Sequence, residues 1–255
     1  MSNSVGATSQ AAFGALGRKR RKAVHGVTIG ILVLDTGFER IPGDIAYAPT
    51  WQFPVQYTVV RGATSQRVVR ETIEEDVAQL FLKACDDLVA LGVDGITTSC
   101  GFLALLHPRL VAHCPVPVAS SSLLQIPLVQ SILPKGQRVG VITMNKDALT
   151  PAHFAAVGAP TDLPVAGIPQ TSVFRQHQLT NQLTADAKAH EQIVLDITGT
   201  LLAANPDIGA LVFECTNLPT FSAQVEATFG LPVYDIVTLV DWFHAGLKPR
   251  RYLQE

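Results

Sequence analysis

Cys100 and Cys215 are the residues of this chain whose type and setting point most directly to chemistry. Each closes a short apolar run, Gly95–Thr98 before the first and Ala210–Phe213 before the second. Each is followed by small or polar residues, Gly101-Phe102-Leu103 after one and Thr216-Asn217-Leu218 after the other. They stand 115 positions apart, and their surroundings repeat at that offset, Leu103 with Leu218 and Pro117-Val118 with Pro232-Val233. An isolated thiol ionises at about pH 8.5, and its neighbours can lower that value. Two thiols on opposite faces of one carbon would form an acid–base pair. One would remove a proton and the other deliver one, inverting a stereocentre. The carbon needs an adjacent carbonyl or carboxylate, and the site needs N–H and hydroxyl donors for the charge that develops. A single cysteine at a strand end is usually a small buried hydrophobe. It is the duplication that favours chemistry here.

The elements that must position these thiols alternate strand and helix. Val27–Leu34 is an apolar, β-branched run suited to a strand buried on both faces, and it ends in Asp35-Thr36-Gly37. Prolines and glycines make residues 38–54 a long loop, with Asp44 and Trp51 in it and a lid as one reading. Tyr57–Val60 predicts a strand, and Glu71–Leu91 a helix that Gly92 stops. Beyond Cys100 the pattern predicts a helix near Leu103–Val111, a strand at Pro117–Ala119, and a helix over Leu123–Ile132 after Ser120–Ser122. Arg138–Met144 reads as a strand whose Gly140 matches Gly30, and a helix should open at Thr150-Pro151. Residues 158–172 read as irregular, Leu183–Ala204 as a second long helix, then a helix over 223–228, a strand at 231–234 and a last helix over 236–245. The expected fold is α/β, with two pseudo-symmetric Rossmann-like parallel-sheet halves and the active site in the cleft between them. Ligands bind such sheets at the carboxyl ends of the strands, where Asp35, Cys100, Thr143 and Cys215 all fall. The expected organisation is a basic tail over 1–25, a first lobe from 26–124 plus 236–255, and a second lobe over 125–235.

Bulk composition excludes several classes. Hydrophobic residues make up 47% of the chain and charged ones 16%, a balance that suits a buried core. Residues 1–25 hold Arg18, Lys19, Arg20, Arg21 and Lys22 with no acid, leaving 14 basic against 21 acidic side chains in the remainder. An acidic body argues against a nucleic-acid partner. No apolar run is long enough to span a membrane, and the basic cluster is out of order for a signal peptide, so the expectation is a cytoplasmic protein. Cys85, Cys100, Cys114 and Cys215 form no C-x-x-C pair and no ligand spacing with histidine, so no metal is expected. Neither a dinucleotide nor a phosphate-loop fingerprint is present, and the histidines accompany no G-x-S-x-G.

The motifs TTSCGF around Cys100, ECTNLP around Cys215 and LDTG at 34–37 resemble those of the aspartate/glutamate racemase superfamily, over nearly everything from Val27 to the last helix. That superfamily includes amino-acid and hydantoin racemases, maleate isomerases and arylmalonate decarboxylases. The resemblance implies a cofactor-independent racemase or epimerase, an isomerase needing no PLP, with Cys100 and Cys215 as the two bases and Asp35 assisting Cys100. Thr36, Ser99, Gly101, Phe102, Thr143, Asn145, Thr216 and Asn217 are the expected substrate-binding residues. The implied substrate is a small carboxylate, an amino acid or a cyclic imide, and a homo-oligomer is left open. Alternatives are a maleate-type cis–trans isomerase, a carboxy-lyase, and a non-catalytic small-ligand-binding protein. The sequence departs from the amino-acid racemase pattern in three places. Gly101-Phe102 stands where Asn-Thr is usual, Asn217 where histidine is usual, and Glu214 places a carboxylate beside Cys215. Glu214 predicts unequal resting protonation of the two thiols.

Overall fold

Two four-stranded parallel sheets form the framework of the computed structural model, which describes residues 26–249. The basic segment expected over 1–25 lies outside the described residues, as does the end of the chain from 250. The first sheet contains β1 (Ile29–Leu34), β2 (Val55–Val60), β3 (Gly95–Thr98) and β4 (Val118–Ala119), ordered β2-β1-β3-β4. The second contains β5 (Arg138–Thr143), β6 (Val165–Gly167), β7 (Ile208–Phe213) and β8 (Val233–Tyr234), ordered β6-β5-β7-β8. The sheets match strand for strand, and the match extends to single hydrogen bonds. Ser99 N–H donates to the Leu32 carbonyl at 2.9 Å, and Glu214 N–H to the Ile142 carbonyl at 2.8 Å. Leu103 and Leu218 N–H donate to the carbonyls of Cys100 and Cys215, each at 3.1 Å. The expected α/β architecture of two similar parallel-sheet halves is the one observed.

Between and after the strands run α1 (Ser65–Val68), α2 (Glu75–Leu91), α3 (His107–His113), α4 (Ile126–Ile132), α5 (Pro151–Ala155), α6 (Val173–Leu179), α7 (Ala187–Ala204), α8 (Ser222–Phe229) and α9 (Ile236–Leu247). Helix α2 buries Val77, Phe81, Ala84, Cys85 and Leu88 along one stripe and ends at Gly92, whose φ of 88° is the left-handed cap a glycine allows. It starts later than its apolar period suggests, with Glu74 as N-cap. Helix α7 likewise starts at Ala187, where Asp186 accepts a hydrogen bond from Ala189 N–H at 3.0 Å. Residues 158–172, expected to be irregular, contain β6. It is a three-residue edge strand between Pro164 and Pro169, and an edge position tolerates flanking prolines. Helix α6 follows it and was not anticipated at all.

The side chains of β1 are buried along their whole length, Ile29, Ile31 and Leu32 completely, each contributing about 1.5–3 kcal/mol by leaving water. Two of the helices that cover the sheets are exchanged between halves. Helix α4 follows β4 of the first sheet, yet its Ile126 and Val129 pack with Val139 and Val141 of β5 in the second. Helix α9 follows β8 of the second sheet, yet Ile236, Leu239 and Val240 pack on Ile29, Ile31 and Val33 of β1 in the first. Residues 38–54 form no detached lid. Trp51 is buried and its indole N–H donates to the Ile45 carbonyl at 2.9 Å, while Ile45 is fully buried beside it.

Candidate active site

The carboxyl ends of β1, β3, β5 and β7 meet at one cavity of about 100 Å³, lined there by Leu34, Ser99, Cys100, Met144, Glu214 and Cys215. Both thiols therefore face the same small space. The two cysteine turns are also tied to each other directly, because the Thr216 hydroxyl donates to the Ser99 carbonyl at 2.7 Å. From the first half, the Ser122 hydroxyl donates to the carbonyl of Phe213 at 2.6 Å. These bonds cross between the sheets and set the separation of the sulfurs.

Cys215 is held by a chain of polar contacts. Its thiol donates to Oδ1 of Asn217 at 3.5 Å, an oxygen that also accepts from the Gln178 amide at 2.7 Å. The Asn217 amide nitrogen donates in turn to Asp44 Oδ2. Asp44 is buried and fixed by Arg40 at 3.2 Å and by Ala46 N–H at 2.7 Å. A second Arg40 nitrogen donates to the Thr36 hydroxyl at 2.7 Å, and its guanidinium stacks 4.0 Å over the Phe38 ring. Asn217 thus orients the thiol, and it cannot itself carry a proton away. Asp44, first read as a loop residue, is the anchor of that chain.

Glu214 is buried between the turns. Its Oε2 accepts from the Thr143 hydroxyl at 2.7 Å, and its Oε1 has no hydrogen-bond partner. A side chain at position 101 would collide with that Oε1 and with the Glu214 carbonyl, so Gly101 is the residue that leaves the carboxyl its room. Two departures from the racemase pattern, Gly101 and Glu214, are therefore one steric arrangement. Burial pushes the Glu214 carboxyl up to about 7, against the Thr143 hydroxyl, the Met144 and Phe102 N–H groups and the Arg175 charge. Both thiols are pushed well above their ordinary range, first by burial and then by the Glu214 charge. The N–H groups of Phe102 and Leu103 oppose this at Cys100, and that of Asn217 opposes it at Cys215. The Glu214 charge thus reaches Cys100 as well as the adjacent Cys215.

Helix α6 supplies what the sequence reading missed. Ser172 caps it, accepting from Arg175 N–H at 3.2 Å, and Arg175, Gln178 and Leu179 line the cavity. The Arg175 guanidinium is buried, donates one N–H to the Met144 carbonyl, and leaves its Nε without a partner. A buried cation with an unmade hydrogen bond at the wall of a cavity suits an anionic ligand group. The available signal was the cap residue Ser172 followed by the apolar Val173, Phe174 and Leu179, obscured by the prolines before it.

Of the expected residues, Cys100, Cys215, Thr36, Ser99, Gly101, Phe102, Thr216 and Asn217 all line the cavity. Thr143 acts one step back, through Glu214, and its hydroxyl also accepts from Asn145 N–H at 3.3 Å, Asn145 itself being outside the lining. Asp35 is not brought to Cys100. Its carboxylate turns to the end of β2, where it accepts from Gly62 N–H at 2.9 Å and Arg61 at 3.0 Å. Those donors, the Gly62 N–H foremost, hold its carboxyl below the usual carboxylate range. Among the described residues no group of three His, Cys, Asp or Glu side chains is placed to hold a metal ion, and no helix is long and apolar enough to cross a membrane.

No family model matches the chain. It is 26% identical over 235 residues to a dimethylsulfoniopropionate lyase of Durusdinium sp. clade D, covering 86% of this chain and 74% of that protein. It is 29% identical over 235 residues to dimethylsulfoniopropionate lyase 6 of Emiliania huxleyi (strain CCMP1516), covering 86% of this chain and 60% of that protein, so it spans about three-fifths of that relative. Among solved structures, arylmalonate decarboxylase superposes with a TM-score of 0.58 at 16% identity, over 88% of this chain and 94% of that one. The glutamate racemase of Bacillus anthracis gives 0.56 at 17%, over 88% and 83%. The allantoin racemase of Klebsiella pneumoniae gives 0.56 at 15%, over 87% and 87%. The fold is the one these racemases and the decarboxylase share, as the resemblance implied. The curated relatives, however, are named as lyases, where an isomerase was expected.

Proposed function

We propose that this chain is a cofactor-independent carbon-acid lyase, in which a cysteine removes the proton next to a substrate carboxylate and a group leaves from the neighbouring carbon. The observation that carries the reading is the convergence of Cys100, Cys215 and the half-satisfied Arg175 on one buried cavity. The names of the curated relatives favour dimethylsulfoniopropionate as the substrate. Arg175 would pair with the carboxylate and hold the electron density that builds on it as the α C–H bond breaks. The thiolate takes that proton, the electron pair forms the α–β double bond, and the β C–S bond breaks with its electrons on sulfur. The products are dimethyl sulfide, acrylate and the protonated thiol, and one proton leaves to solvent as the site resets. Leu34, Val69, Phe102, Met144 and Leu179 form an apolar wall suited to the departing dimethyl sulfide.

A second reading, racemisation or epimerisation, draws support from the pseudo-symmetric pairing of the thiols, since elimination needs one base and inversion needs two. One assay separates the readings. The protein is incubated in deuterated buffer with dimethylsulfoniopropionate, and separately with small amino acids and hydantoins, reading dimethyl sulfide in the headspace and α-deuterium by mass spectrometry. The lyase reading expects dimethyl sulfide and acrylate in equal amounts, with Cys100→Ser or Cys215→Ser lowering the rate by about 10²–10⁴-fold for the thiol that acts as base. Deuterium incorporation into an amino acid or hydantoin without dimethyl sulfide would replace it by the racemase reading. Full lyase activity in both serine variants would sink the cysteine mechanism.

A further inference from the structure

A thiol that is to act as base must first lose its own proton, and the cavity gives that proton few places to go. Asn217, the hydrogen-bond partner of Cys215, has no titratable site, and Asp35 lies elsewhere. The cation Arg175 cannot accept a proton. Glu214 is differently placed. It adjoins Cys215 in the chain, and its Oε1 lies against Gly101, the residue next to Cys100. That oxygen is buried and has no hydrogen-bond partner, so it keeps a free lone pair, and the Glu214 charge acts on both thiols.

We infer that Glu214 is the proton holder of the site: its Oε1 receives the proton of the thiol that becomes the base, and Gly101 is required so that one carboxyl can serve both turns. In this step the S–H bond breaks, its electron pair stays on sulfur, and an O–H bond forms on Glu214. The thiol and carboxylate become a thiolate and a carboxylic acid with no change in total charge. When the thiolate has taken the substrate proton, Glu214 returns its own proton to solvent. In this role Glu214 acts through the thiols, which makes it a positioning residue for a proton. The inference rests on the reading above that a cysteine thiol is the base, and adds the group that arms it.

The surroundings fit this use. Thr143 at the end of β5 fixes Oε2, and the Phe102 and Met144 N–H groups and Arg175 from α6 favour the charged form. Asp44, tied to Arg40 in the 38–54 loop, reaches Cys215 as a further negative charge, and Asp147 acts on Arg175. Burial alone sets against these, and it brings the carboxyl to about 7 while both thiols stay far higher. Two coupled groups of this kind lose their first proton as a pair. Once that proton is gone, the fraction present as acid plus thiolate no longer rises with pH until the second proton leaves.

Iodoacetamide alkylation of the intact protein, followed against pH by peptide mass spectrometry, reads total thiolate, which is dominated by the acid-plus-thiolate form until the doubly ionised form overtakes it, since the thiolate is the reacting form. Alkylation of Cys100 or Cys215 should climb about tenfold per pH unit up to a break near 7 and then level off. In Glu214→Gln the climb should continue through that region, exceeding the wild type about tenfold or more at about pH 8.5. Thr143→Val, which removes a hydroxyl that favours the charged carboxylate, should move the break to higher pH and so covers the case in which the glutamine variant folds poorly. A break that persists unchanged in Glu214→Gln, or its absence from the wild type, overturns the inference, as does an unmoved break in Thr143→Val. Dimethyl sulfide release is scored in parallel. Its absence from a wild type that shows the break would overturn the lyase reading while leaving Glu214 as proton holder.

Discussion

Arg175 places a full positive charge where water is largely excluded and leaves one of its N–H groups unmade. A charged hydrogen bond at such a place is worth about 1.5–3 kcal/mol, because the donor has lost its water and gains nothing until a ligand arrives. Under the proposed lyase reading, Arg175→Met should therefore raise KM for dimethylsulfoniopropionate roughly 10- to 100-fold, with Arg175→Lys between it and the wild type. Steady-state kinetics check this, and an unchanged KM in the methionine variant would remove Arg175 from the carboxylate. This residue was not legible in the sequence. It lies forty positions from Cys215, in a helix that the prolines around it concealed, and its meaning depends on a cavity assembled from four strand ends. The cysteines were legible because a duplication repeats their setting. Gly101 and Glu214 were each legible as departures, but only contact across the sheets shows them to be one fitting. Asp35 misled, since an acid at a strand end points to either side of it, and the Gly62 N–H and Arg61 decide the side.

At the scale of elements, α6 is seven residues long and carries three of the cavity's side chains, so its anchoring bears on binding as well as on stability. So short a helix has little cooperativity of its own and depends on its cap and its packing. Ser172 supplies the cap. Ser172→Ala should cost about 1 kcal/mol. Amide exchange in peptides over 173–179 should quicken, and KM should rise more than kcat falls. Unchanged exchange in those peptides would show that packing of Phe174 on His190 and Phe221 holds the helix without the cap. The long helices and the central strands were readable from period and burial, since α2 and β1 each obey one simple pattern. Strand β6 and helix α6 were not, because a three-residue edge strand and a two-turn helix are too short to show a period.

At the scale of the molecule, the buried acid at the centre sets a pH dependence of stability. The Glu214 carboxyl sits near 7 in the folded chain and would sit near 4.5 when unfolded, so between those values the folded state holds more protons. Its contribution is fully present below the lower value and is lost as pH rises through the upper one, by roughly 3 kcal/mol over the window. Asp235, buried at the start of α9 and also raised, acts with the same sign. Urea unfolding should thus show stability falling as pH rises from about 4.5 to about 7, and Glu214→Gln should flatten that fall. A slope of equal size in the variant would place the cost elsewhere. The exchanged helices bear on where such a molecule comes from. A free half-chain would carry its last helix with no sheet of its own beneath it, and only another half, lending a helix in return, could complete both. Reciprocal lending of that kind describes a pair of identical small proteins, each bringing one thiol to a site on their shared axis. Here the two halves are one chain and need not be alike, so a carboxyl after one strand and a glycine after the other can be complementary, which two identical halves could not be.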